Sequence, residues 1–172
     1  MNATHLHLIL THFPIIGTLL GSLILIYGIF TKNTSIQKLS MLLFIAMALV
    51  AIPMYLTGEG AEETVEKISG VSEQTIKVHE EMAEKAIVFM AILGILSFVN
   101  LFALIRSLSF AKILTYVTLI FSLLTFGIYA KTGNLGGQIR HTEIRTNAVT
   151  NNHSGAIENR NQKSEDNKED DD

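Results

Sequence analysis

The stretch FPIIGTLLGSLILIYGIF, residues 13–30, decides the fold of this chain. It contains no charged residue, and its apolar side chains cover every face of a helix instead of one stripe. The hydrocarbon core of a bilayer is roughly 30 Å thick, and a helix rises about 1.5 Å per residue, so about 20 such residues span it. We therefore predict a transmembrane helix here.

Three further stretches of the same kind follow along the chain. They are LSMLLFIAMALVAIPMYLT (39–57), AIVFMAILGILSFVNLFALI (86–105) and ILTYVTLIFSLLTFGIYA (113–130). Hydrophobic residues make up 48% of the 172 residues and charged residues only 17%, and none of the charges falls within a span. The sequence thus predicts an all-α, polytopic membrane protein, an up-down four-helix transmembrane bundle surrounded by lipid.

The composition also excludes several classes of function. A net charge of −3 without a basic patch argues against a nucleic-acid partner. The absence of Cys excludes a disulfide scaffold, thiolate-bound iron–sulfur clusters and a covalently attached c-type haem. Spans without charge argue against a proton pump or an ion transporter with a site at the midplane. No motif names a reaction, so enzymatic activity stays open.

The distribution of Lys and Arg predicts the orientation. Loops 31–38 and 106–112 each carry two basic residues and no acidic one, whereas segment 58–85 carries eight Glu. Because short cytoplasmic loops are enriched in Lys and Arg, these two loops should face the cytoplasm. We expect both termini to face outward from the inner (cytoplasmic) membrane of a bacterium, with the first span retained as an anchor.

The outward-facing segment 58–85 is too polar to enter lipid. Residues 61–68 predict a short acidic helix, and Ser72 is a candidate N-cap because its hydroxyl can accept a free backbone N–H. From Glu73 nothing breaks a helix until about Arg106, a length of roughly 50 Å at the standard rise. The third transmembrane helix should therefore project beyond the bilayer.

The C-terminal part of the chain divides into two predicted pieces. Gly133 is expected to end the fourth helix, because glycine readily adopts the left-handed C′ conformation. We assign residues 1–145 to the transmembrane domain. Residues 146–172 contain few apolar groups and end in an acidic run, which predicts a disordered tail that cannot offset the entropy of ordering.

Histidines gather at the predicted outward ends of the helices. His5, His7 and His12 precede the first span, His79 precedes the third, and His141 follows the fourth. In an up-down bundle these three regions meet at one end. Their convergence is the strongest indication of a functional site in the sequence.

His12 is the residue on which the site prediction centres. It lies in the apolar stretch LHLILTHFPII (6–16), beside the rigid Pro14. The first helix begins either near Thr4, with Pro14 inside it, or near Phe13, with Pro14 in its first turn. An ionisable group at this depth typically has a function, and a buried imidazole needs partners for both nitrogens. We expect His12 to be buried and to face His79 and His141.

Three functions remain open for these residues. The first is haem b binding in electron transfer with a respiratory or redox protein, with His12 as one axial ligand and His79 or His141 as the other. The second is a non-haem metal site built from His12, His79 and His141, together with Glu80 or Glu63. The third is a cofactor-free membrane partner or assembly protein whose histidines form a hydrogen-bonded cap.

Polar and small residues inside the spans predict packing. Gly17-x-x-x-Gly21 allows close approach of helices, either within the bundle or between copies in a homo-oligomer. Asn100, Ser97 and Thr118 are expected to form hydrogen bonds between helices. The glutamates of segment 58–85 are expected mainly to form a solvated acidic surface.

Four motifs occur in a characteristic order. They are His12-Phe13-Pro14, Thr57-Gly58 at the end of the second span, His79 near the start of the third helix, and Leu135-Gly136-Gly137 followed by His141. Over residues 5–145 the chain resembles the bacterial four-span membrane family known as domain of unknown function 2231. The resemblance implies a four-helix membrane domain with a site on one face, and it implies no established reaction.

Overall fold

The computed structural model describes residues 3–66 and 71–140, and all regular structure in these ranges is α-helical. The helices are α1 (Ala3–Phe30), α2 (Thr34–Leu56), α3 (Gly58–Glu66), α4 (Glu73–Ile105) and α5 (Ala111–Arg140). Four of these, α1, α2, α4 and α5, are long and apolar enough to cross a membrane. The predicted all-α, four-span fold class is therefore confirmed.

The long helices run alternately up and down. Helices α1 and α2 are antiparallel, because Gly17 faces Met47 and Gly21 faces Phe44. Helices α4 and α5 are antiparallel as well, since Asn100 bonds Thr115 near one end and His79 bonds Thr132 near the other. We call the end that holds His7 and His79 the histidine end, and the end that holds Lys32 and Lys112 the lysine end.

The glycine motif of α1 packs within the bundle. A Cβ on Gly17 would collide with the Met47 side chain, and one on Gly21 would lie 2.5 Å from Phe44 Cε1. On α4, a Cβ on Gly94 would lie 2.6 Å from Ala48 Cβ. Small residues thus bring α1 and α4 close to the two sides of α2.

Buried polar side chains also connect the helices. Ser22 and Ser122 share a hydroxyl hydrogen bond of 2.8 Å between α1 and α5. Asn100 Nδ2 donates to Thr115 Oγ1 at 3.2 Å between α4 and α5, as expected for Asn100. The expectation was wrong for the other two residues, because Thr118 donates to Leu114 O of its own helix and Ser97 Oγ has no partner among the described residues.

Two links close the lysine end in the same way. The first has Lys32 at φ 53° and the second has Ser107 at φ 53°, both in the left-handed region. The following N–H groups of Asn33 and Leu108 bond back to Gly28 O and Ala103 O at 2.9 Å. This is the Schellman arrangement, in which a left-handed residue satisfies the last carbonyls of a helix.

Helix α1 begins at Ala3, so Pro14 lies inside it. Of the two alternatives, the start near Thr4 is the one that the structure shows. Pro14 is buried and has no N–H to donate to Leu10 O, whereas its own carbonyl accepts the Thr18 hydroxyl. The N-terminal histidines therefore belong to one continuous helix.

The prediction that Gly133 ends the last helix was wrong, because α5 continues to Arg140. The glycines serve close packing instead. A Cβ on Gly133 would lie 2.9 Å from Ile15 Cδ1 of α1, and one on Gly136 would lie 3.0 Å from His79 Cε1 of α4. Helix propensity is outweighed here by contacts that only glycine permits.

The remaining boundaries follow the predictions with small shifts. The short acidic helix occupies Gly58–Glu66 instead of 61–68, and α4 begins at Glu73 as expected. Ser72 has the extended N-cap backbone, but its side chain makes no capping bond.

The described residues up to Ile139 form one compact unit, and a second unit begins at Arg140. His141 and the predicted tail 146–172 lie outside the described residues.

Candidate functional site

His7 lies on the second turn of α1 and is half-buried. Its Nδ1 is 2.9 Å from the main-chain oxygen of Met54, near the C-terminus of α2. Because a carbonyl can only accept, Nδ1 carries the proton and donates. The last four carbonyls of a helix lack helical N–H partners, so His7 caps α2. Nδ1 is thus occupied by this bond, and Nε2 is the nitrogen left for another partner.

His79 repeats this arrangement on the other helix pair. The half-buried ring donates from Nδ1 to Thr132 O of α5 at 3.0 Å. Gly136 lies one turn beyond Thr132, and a Cβ there would lie 3.0 Å from His79 Cε1. The absence of a side chain at Gly136 thus makes room for the ring. In His79 the neutral ring has its lone pair on Nε2.

One cavity of about 20 Å³ lies between these two histidines, and this volume holds roughly one water molecule. Its polar lining comes from α1, α4 and α5, and apolar side chains close it. The lining residues are His7, Thr11, Ile15, Met54, His79, Ala83, Ala86, Tyr129, Thr132 and Gly133. Residues from helices that are distant in sequence therefore meet at one small cavity.

His79 lies before the predicted span 86–105, and its surroundings favour the neutral ring. Burial lowers the pKa of His79, the hydrogen bond to Thr132 O acts in the opposite direction, and the nearby His7 lowers the pKa further. A neutral imidazole has a lone pair to offer, whereas an imidazolium has none. The site therefore keeps His79 in the form that can bind a metal or accept a hydrogen bond.

Tyr129 is among the residues that line the same cavity. The residue is 2% exposed, and its hydroxyl has no hydrogen-bond partner among the described residues. Leaving a buried hydroxyl unpaired costs on the order of 1–3 kcal/mol. Most buried polar groups in proteins have a partner, so this unpaired hydroxyl beside the two histidines is a feature that the site has to explain.

The structure places His12 elsewhere. Its ring is exposed, and its Nδ1 donates to Leu8 O of the same helix at 3.0 Å. His7 and His12 are five residues apart, which puts them about 140° apart around α1. Only one of them can face the bundle, and that one is His7. The expectation that His12 is buried and faces His79 was therefore wrong.

The spacing of residues on α1 contains a sequence signal for His7. The buried face of α1 includes Pro14, Gly21 and Thr18. Residues seven apart on a helix share one stripe. His7 therefore lies on the same stripe as Pro14 and Gly21, and Thr11 lies on the same stripe as Thr18. Tyr129 offered no comparable signal, because a tyrosine in an apolar span is also an ordinary core residue.

The predicted carboxylate ligands do not line the cavity. Glu63 and Glu80 are both exposed. Half-buried Glu62 is the acidic residue of α3 with an altered pKa, which is raised by burial and by the nearby Glu80, Glu66 and Glu59. These residues form an acidic surface. Among the described ranges, 3–66 and 71–140, no group of three or more His, Cys, Asp or Glu is arranged to hold a metal ion.

Comparisons with known proteins yield no relative. The chain matches no family model, no curated protein and no solved structure. The resemblance to domain of unknown function 2231 therefore stays a prediction based on its four motifs, and the function must be argued from the site.

Proposed function

We propose that this chain is an integral membrane protein that holds one transition-metal ion between His7 and His79. The observation that supports this most strongly is that both rings donate from Nδ1 to a main-chain carbonyl of a neighbouring helix and line one cavity. A metal-binding histidine usually donates its other N–H to a carbonyl or carboxylate. That bond fixes the ring and leaves Nε2 for the metal.

The chemistry of the lining indicates the class of ion. Two imidazoles suit copper, zinc, iron or nickel, whereas magnesium and calcium prefer carboxylate and carbonyl oxygens. A cavity of about 20 Å³ matches an ion or a water molecule and is far smaller than a porphyrin. The geometry thus favours a single ion over haem b.

The cellular setting of the proposal comes from the sequence. With loops 31–38 and 106–112 in the cytoplasm, the histidine end faces outward from the bacterial inner membrane. A redox-active ion there would exchange single electrons with a respiratory or redox protein at the outer surface. We include membership of domain of unknown function 2231 in the proposal on the strength of the motif order.

A cofactor-free cap is the second candidate, and a specific observation favours it. The bond from His7 to Met54 O joins α1 to α2, and the bond from His79 to Thr132 O joins α4 to α5. These bonds hold the histidine end together without any metal. A single water could then satisfy Tyr129, and the chain would act as a membrane partner or assembly protein.

Elemental analysis of the purified full chain distinguishes these functions. The protein is expressed with haem precursor and transition metals supplied, and spectra are recorded oxidised and after dithionite. We expect about one metal ion per chain and no haem bands. His7→Ala and His79→Ala should lose most of the metal. His12→Ala is the matched control, since it removes an exposed imidazole from the same helix as His7, and it should keep the metal.

Each contrary result points to a defined alternative. Wild-type protein without metal or haem contradicts the ion and supports the hydrogen-bonded cap. Haem absorption that disappears in His79→Ala supports haem b. Metal that survives in both His7→Ala and His79→Ala places the ion elsewhere in the chain.

A further inference from the structure

A larger groove lies at the opposite end of the bundle, away from the histidines. It is an open groove of about 480 Å³ where the link between α1 and α2 meets the link between α4 and α5. Its lining includes the polar residues Lys32, Lys112, Thr34 and Ser109 and the apolar residues Leu104 and Tyr116. The proposed metal site uses none of these residues.

The groove is cationic, and none of the described residues that line it is a carboxylate. Residues 3–58 and 85–140 contain no Asp or Glu, and the acidic residues of the described ranges all fall within 59–84. The described residues of this segment, 59–66 and 71–84, belong to the histidine end. Lys32 and Lys112 therefore face one groove without a described acidic neighbour, and their charges favour an anion.

The backbone adds to this positive potential. Helix α2 begins at Thr34 and α5 begins at Ala111, and both residues line the groove. A helix N-terminus carries partial positive charge, although Asn33 Oδ1 already accepts from the N–H groups of Ser35 and Ile36 in α2. The charge of Lys32 and Lys112 and the two helix ends thus act together on the same space.

The apolar lining distinguishes a lipid from a small soluble anion. Leu104 and Tyr116 line the groove, and the neighbouring Ile113 is 69% exposed on the outer surface of α5. A free phosphate would contact the polar residues alone. A phospholipid would also cover the apolar residues with its acyl chains.

We propose that this groove binds an anionic phospholipid, with the headgroup phosphate between Lys32 and Lys112 and the acyl chains along the exposed side chains of Tyr116 and Ile113. Basic pockets between transmembrane helices are suited to such headgroups. The proposal is independent of any metal at the histidine end, because the two sites share no residue.

Lipid retention by the full chain in detergent tests this proposal. Native mass spectrometry compares bound phosphatidylglycerol with bound phosphatidylcholine at equal concentrations. Wild type should retain phosphatidylglycerol preferentially. The double variant Lys32→Gln/Lys112→Gln should bind it roughly thirtyfold more weakly, since each of the two lysines near such a headgroup contributes about 1 kcal/mol. Circular dichroism checks that the variant is folded.

A matched control separates a defined site from general attraction to basic loops. The double variant Lys38→Gln/Arg106→Gln removes the same amount of charge from the same end of the bundle, but neither residue lines the groove. Arg106 instead stacks over Phe102, 5.5 Å from the ring centroid. This control should retain the preference for phosphatidylglycerol. An equal loss in both double variants, or equal retention of the two lipids by wild type, overturns the proposal.

A second arm distinguishes the lipid from a soluble anion. Lipid-free protein in detergent is titrated with glycerol 3-phosphate or with phosphatidylglycerol while thermal unfolding is followed. The lipid should raise Tm and the soluble phosphate should not. If glycerol 3-phosphate stabilises the protein as much as the lipid does, the groove binds a soluble phosphate and the lipid proposal is wrong.

Discussion

At the histidine end two half-buried imidazoles line a cavity of about 20 Å³, whereas at the lysine end two lysines border a groove of about 480 Å³. The imidazoles are fixed by bonds from His7 to Met54 O and from His79 to Thr132 O. The lysines carry long side chains with many rotamers. The first end is therefore organised for a small partner with defined geometry, and the second for a large partner held mainly by charge.

The largest expected effect tests how tightly the histidine end is packed. Gly136→Val should push into the His79 ring, since a Cβ there already lies 3.0 Å from Cε1. We expect a destabilisation of about 1–3 kcal/mol, as for overpacked cores, together with loss of bound metal. Thermal unfolding in detergent and elemental analysis measure the two effects.

Gly137→Val is the control for that substitution. It adds the same side chain to the next residue of α5, where a Cβ would meet nothing within 4 Å. Its stability should stay close to that of wild type. Equal effects of the two substitutions would show that helix propensity, and not contact with His79, decides the outcome.

The second prediction concerns pH at the histidine end. The pKa of His79 is lowered from its ordinary 6.5 by burial and by His7, so the unfolded chain binds its proton at higher pH than the folded chain does. The stability that His79 contributes is present above pH 6.5 and is lost as the pH falls through the lower, folded-state value. Wild type should therefore lose Tm as the pH falls below about 6.5.

The variant His79→Gln removes this titration and should flatten the profile. His12→Gln is the comparison, because its exposed ring bonds only within α1. A wild-type profile with the same slope as that of His79→Gln would contradict the prediction.

The third prediction uses Tyr129 to ask whether the cavity is occupied. Tyr129→Phe removes the unpaired hydroxyl and nothing else. If an ion or water satisfies that hydroxyl, the variant should bind metal several-fold more weakly. The unfolding of metal-free protein should change by about 1 kcal/mol or less. Metal titration monitored by Tm measures both. A variant that is clearly more stable with unchanged metal content would indicate an empty cavity.

The smallest expected effect lies at the lysine end. Ser107 has φ 53°, a conformation that costs L-residues roughly 1–2 kcal/mol and glycine almost nothing. Relief of this strain should stabilise Ser107→Gly, but glycine also raises the entropy of the unfolded chain. The net gain in the free energy of unfolding should therefore be only a few tenths to about 1 kcal/mol. Ser109→Gly in the same link offers no relief of positive φ and should be neutral or destabilising. Chemical unfolding of the two variants is the measurement.

The spans were predictable because their signal is local. A charge is costly to place in lipid, so a run without charges, such as residues 39–57, marks a span by itself. Each predicted run lies within one of the four long apolar helices. The start of α4 at Glu73 was predictable for a similar reason, since no breaker follows it. The end of α5 was not, because Gly133 and Gly136 are retained for contacts with Ile15 and His79, which lie far away in sequence.

The candidate site was only partly predictable. Convergence of α1 and α4 at one end follows from up-down topology, and the structure brings a histidine from each together. The choice between His7 and His12 depended on the rotation of α1, which is set by packing of Gly17 and Gly21 against α2. Tyr129 became a candidate only through its missing hydrogen-bond partner, which no sequence pattern reveals.

The separation of charge between the two ends has an electrical consequence. Loops 31–38 and 106–112 carry four basic residues, and segment 58–85 carries eight glutamates that its lysines only partly offset. In the proposed orientation the molecule is a dipole aligned with the membrane potential, its positive end on the negative side. A potential of 100 mV is worth about 2.3 kcal/mol for each charge that crosses it. An energised membrane thus opposes any inversion of the bundle, and it also attracts cations away from the outward histidine end.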